Sequence, residues 1–84
     1  SDKEAIGKAI SAAAQSDAAT AGKIIAEAAK SDSGAVGRAL AHASKDDAEA
    51  TGRAIASAAN EDVESTGLAL ASAAQEDAEA KAAP

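Results

Sequence analysis

Eighty-four residues with 29 alanines, no aromatic residue, no methionine and no cysteine exclude a thick core, disulfide staples and thiolate metal sites. A net charge of −6 argues against nucleic acid as a partner, since phosphate binding calls for cations. No apolar run reaches spanning length, so membrane insertion is not expected.

Internal repetition organises the chain. Residues 1–15 read SDKEAIGKAISAAAQ, 16–30 SDAATAGKIIAEAAK, 31–45 SDSGAVGRALAHASK, 46–60 DDAEATGRAIASAAN and 61–75 EDVESTGLALASAAQ. Residues 76–84, EDAEAKAAP, form a partial sixth copy. One repeat domain over residues 1–84 is the expectation. Slot two is always aspartate, slot seven is glycine in every full copy, slot ten is a large aliphatic and slot thirteen is alanine.

Abundant alanine and apolar residues at slots six, ten and thirteen indicate helix rather than strand. A continuous helix with this period would set its aspartates in the middle of the apolar face, where unpaired carboxylates are costly. As N-caps, the same aspartates accept hydrogen bonds from first-turn N–H groups and suit the helix dipole. The sequence therefore predicts one short helix per copy, over residues 3–14, 18–29, 33–44, 48–59 and 63–74, with polar turns at slots fifteen, one and two. Asp2, Asp17, Asp32, Asp47 and Asp62 are the predicted N-caps.

Helices this short are marginal alone and need neighbours. Short turns predict roughly antiparallel consecutive helices and an all-α, two-layer α-solenoid, with odd helices in one layer and even helices in the other. Its core is expected around Ile10, Ile25, Leu40, Ile55 and Leu70, with slots six and thirteen beside them. The outer face takes slots four, eight, twelve, fifteen and one, where Glu4–Lys8 and Glu49–Arg53 have favourable i, i+4 spacing.

Gly7, Gly22, Gly37, Gly52 and Gly67 each cost about 1 kcal/mol of helix propensity relative to alanine. Close approach between helices is the expected return. The ends differ from the middle. Slot eight changes from Lys or Arg to Leu68, slot six drifts to Thr51 and Thr66, and residues 43–84 carry all the net charge. Leu68 is expected beneath the last segment or in a contact with another chain, and Leu70 beneath that segment.

Candidate chemistry is sparse. His42, the single histidine, falls on the polar face as a solvated residue. The serines serve turns and the outer face. Acidic groups such as Asp46, Asp47 and Glu49 lack the ligand spacing and turn glycine of a calcium loop. Gly34 with Gly37 follows no strand and is not a phosphate loop. No catalytic, cofactor-binding or metal-ligating residues are assigned, and no enzyme is expected.

Three function classes follow from the pattern. The first is a non-catalytic structural repeat protein that packs or self-assembles through its repeat faces, as a homo-oligomer or filament. The second is ice binding, since the small, Ala-, Gly-, Ser- and Thr-rich composition on a strict period is similar to that of repetitive antifreeze proteins. That resemblance implies a flat face toward an ice surface, although Thr20 at slot five is out of rank with Thr51 and Thr66 at slot six. The third is a protein-binding solenoid module.

Overall fold

The computed structural model describes residues 2–82. Among them are five helices and no strand: α1 Asp2–Ser16, α2 Ala18–Ser31, α3 Ser33–Asp46, α4 Ala48–Glu61 and α5 Val63–Ala82. No described helix is long and apolar enough to cross a membrane.

The breaks between helices are shorter than the sequence predicts. Each is one aspartate, at Asp17, Asp32, Asp47 or Asp62, with φ near −155° and ψ between 85° and 101°. The hydrogen-bond ladder explains the economy. The Asp17 N–H still donates to the Ala13 carbonyl at 2.8 Å, and the Asp17 carbonyl already accepts from Ala21 at 3.0 Å. The same pair of bonds flanks Asp32, Asp47 and Asp62. Slots fifteen and one are therefore helical, and only slot two leaves the helix. Extended φ is open to any residue, so no boundary glycine is needed.

Helices two apart pack most extensively: α1 with α3, α2 with α4, and α3 with α5. Their polar contacts keep a nearly constant sequence offset, from 32 residues at Gln15–Asp47 to 38 at Ser57–Ala19. A constant offset means parallel helices. The intervening helix must then carry the chain back, so α1, α3 and α5 form one layer and α2 and α4 the other.

Between the layers the core is thin. Of the large aliphatics only Ile25, Val36 and Leu40 are buried, with Ile10 and Ile55 half-buried beside them. Alanines 14, 21, 26, 29, 50, 54, 58 and 69 supply the rest of the cluster. Leu70, expected in the core, is 40% exposed because no later helix covers it. Leu68 is also exposed. The segment after slot fifteen does not fold back over either leucine. It extends α5 straight through Asp77 to Ala82.

Candidate functional site

The most specific local geometry belongs to slot seven. A β-carbon built on Gly7 would lie 2.7 Å from His42 Cβ and 3.0 Å from the Ala39 carbonyl oxygen and the Ala43 nitrogen. On Gly22 it would lie 2.7 Å from Ser57 Oγ and 2.8 Å from the Ala54 oxygen. On Gly37 it would collide with the Ala69 oxygen and Ser72 Cβ, and lie 2.9 Å from the Ala73 nitrogen. In each case slot seven meets slots nine and twelve of the helix two further on, and for Gly7 and Gly37 slot thirteen as well. Much of what it meets is backbone, which cannot rotate away.

Each helix consequently carries two packing faces. At about 100° per residue, slots seven, eleven and fourteen lie roughly opposite slots five, nine and twelve. The forward face is buried as Gly7, Ser11 and Ala14 in α1 and as Gly22, Ala26 and Ala29 in α2. The backward face is buried as Ala50, Ala54 and Ala58 in α4 and as Ser65 and Ala69 in α5. Only α3 has both neighbours, and it buries Gly37 and Ala41 on one side and Ala39 and Ala43 on the other.

The aspartates hold the register as well as the helix starts. Thr20, Ala35, Ala50 and Ser65 N–H groups donate to Asp17, Asp32, Asp47 and Asp62 at 3.0–3.2 Å. Asp47 also accepts from Gln15 Nε2 at 2.7 Å, and Asp62 lies 3.6 Å from Lys30 Nζ. Slot fifteen of one copy thus reaches the cap three copies later. The sequence carried a signal for this in its polar slot fifteen, which reads equally well as a helix end.

These contacts shift pKa values in the direction expected of capped, paired carboxylates. The Thr20 hydroxyl and N–H hold Asp17 below its ordinary value. The Ala50 N–H and the Gln15 amide do the same for Asp47. The Ser65 N–H, with Lys30 behind it, lowers Asp62. Lys3 lowers Glu76, and Glu27 raises Lys30.

Three sequence expectations are revised by position in the array. Asp2 is itself the first helical residue of α1 rather than a residue preceding it. Gly52 and Gly67 have nothing within 4 Å of a built β-carbon, since among the described residues no helix lies two further on from α4 or α5. His42 is half-buried, not solvated: its Nε2 lies 3.5 Å from Glu76 Oε2, which also pairs with Lys3 Nζ at 2.8 Å. The Glu49–Arg53 pair forms at 2.9 Å.

The first end is apolar. Ile6, Ile10, Ile24, Ile25 and Val36 line an open groove of ≈ 270 Å³, with Ile6 52% and Ile24 61% exposed. Thr51 and Thr66 are buried at 0% and 1% exposure, so neither contributes to an outer surface. Among the described residues no group of three or more His, Asp or Glu is placed to hold a metal ion. Comparison with known proteins found no matching family model, no matching curated protein and no matching solved structure.

Proposed function

We propose that this is a non-catalytic structural repeat protein that builds homo-oligomers through its repeat faces. One observation carries the reading. An interface that closes three times among the described residues, at Gly7, Gly22 and Gly37, is left uncovered on α4 and α5 and on α1 and α2. Gly52 and Gly67 stand open on the last two helices. Ala9, Ala13, Ile24 and Ala28, whose counterparts Ala43, Ala54, Ala58 and Ala69 have no exposed surface, are open on the first two.

Small, mostly apolar faces of matched shape gain from covering one another. A chain with three buried large aliphatics among its described residues also has little core stability of its own, and any association that favours the folded state adds to it.

Sedimentation velocity from micromolar to millimolar concentration tests the reading. The expected result is a mass that rises above the 8.0 kDa of one chain as concentration increases. A single 8.0 kDa species throughout the range would refute it.

A further inference from the structure

We infer that the face formed by α4 and α5 receives the first two helices of a second copy, so that α1 of that copy occupies the place of a sixth helix and its α2 the place of a seventh. This rests on the assembly reading above and adds the occupant and the register.

The occupant's shape is on display inside the molecule. Wherever a glycine at slot seven is covered, the covering surface is slots nine and twelve of a parallel helix two repeats on, joined by slot thirteen at Gly7 and Gly37. The chain's own α1 offers Ala9, Ala12 and Ala13 at those slots, and α2 offers Ile24, Glu27 and Ala28, all exposed. Continuing the internal register sets Gly52 against Ala12 of the second copy and Gly67 against the Cβ of its Glu27. Glu27 sits at the slot His42 occupies over Gly7, where a long side chain leaves the contact at its Cβ. The place itself is open, because α5 continues straight through Asp77 instead of bending back beside α4.

Charge selects this pairing over one between like ends. Residues 2–31 carry four acids and four bases, whereas residues 48–82 carry seven acids and two bases. Head-to-tail contact sets a neutral end on an acidic one. Joining two glycine faces would set acidic on acidic, which is unfavourable. A head-to-tail contact repeats at every free end and gives open chains unless rotation closes a ring.

Two variants, each altered at one end, test the inference. Gly52→Ala/Gly67→Ala blocks the receiving face, since a β-carbon in the internal register meets backbone at 3.0 Å or less. In the lone chain the same methyl groups meet nothing, so the fold is kept. Ala9→Glu/Ala13→Glu blocks the entering face at exposed sites on α1. Circular dichroism at low micromolar concentration checks that both variants are folded. Sedimentation at the concentration where the wild type associates should then show each variant monomeric alone, and their equimolar mixture forming a dimer of twice the chain mass and nothing larger. Association of Ala9→Glu/Ala13→Glu alone would mean that glycine faces pair with each other, and would overturn the inference. Undiminished association of Gly52→Ala/Gly67→Ala would overturn the register while leaving the assembly reading standing. A wild type that stays monomeric would overturn both.

Discussion

Gly37 lies against the carbonyl oxygen of Ala69, in the helix two repeats further on, with no space between them for a β-carbon. The relation explains why a chain whose commonest residue is the best helix former keeps one of the poorest at a fixed slot. Alanine at slot seven would improve each helix by about 1 kcal/mol and hold neighbouring helices of one layer apart. Density within layers this poor in large side chains depends on helix backbones coming close.

The cap at Asp47 should be worth more than helix initiation alone, because the same carboxylate binds the Ala50 N–H and Gln15 Nε2. Asp47→Ala is expected to lower the melting temperature by roughly 5–10 °C, given the usual effect of losing a cap in a domain of this size. Asp47→Asn keeps an acceptor for the Ala50 N–H and should lose about half as much. Gln15→Ala should reproduce only the cross-repeat part. Thermal melts of the three variants, followed by circular dichroism, check the ranking.

The direction of acid sensitivity follows from the same carboxylates. Asp17, Asp47 and Asp62 have folded pKa values below their ordinary value, so their charged forms are favoured by folding. That contribution is fully present above the unfolded value of about 3.9 and is lost as pH falls through the depressed folded values. Lys30 is raised and behaves oppositely. Its contribution holds below about 10.4 and is lost as pH rises through the raised value. Melting temperature should be flat through neutral pH and decline toward both extremes. A melting temperature that rose on acidification below the ordinary aspartate range would contradict these assignments.

The buried hydroxyl at slot six is a point of weakness. Thr51 Oγ1 and Thr66 Oγ1 are buried without a hydrogen-bond partner, a condition that costs about 1–3 kcal/mol per group. Ile6 and Val36 occupy the same slot in earlier copies. Thr51→Val replaces the hydroxyl by a methyl of nearly the same size, and should raise unfolding stability by about 1 kcal/mol in a urea titration. A decrease would show that the hydroxyl is satisfied in solution.

The period, the helical class, the layered arrangement and the special status of slots two and seven were all legible in residues 1–75, because one residue type recurs at each slot. The one-residue break was not. Polar residues such as Gln15 and Lys30 suit a turn and a last helical turn alike, and only the Asp17 N–H bond to Ala13 decides between them. Nor were the two opposed faces, since alanine occupies both and gives no hydropathic contrast. Position in the array is invisible to a repeated sequence. Gly52 reads the same as Gly37, and only the missing neighbour distinguishes them. Asp77 reads the same as Asp62, yet the helix runs through it. There the partial copy has Lys81 at slot six and Ala82 at slot seven, so this segment lacks the slot-seven glycine carried by the full copies.

The most direct test of the account is one substitution made at two equivalent slots. Gly37→Ala and Gly52→Ala have the same chemistry and the same repeat position, and differ only in whether a helix two further on is present. Thermal unfolding at low micromolar concentration, where single chains predominate, should show opposite signs. Gly52→Ala gains helix propensity and should be more stable by about 0.4–1 kcal/mol. Gly37→Ala forces the α3–α5 contact apart and should be less stable by about 1–3 kcal/mol. Stabilisation by both substitutions would contradict the claim that slot-seven glycines exist to bring alternate helices together.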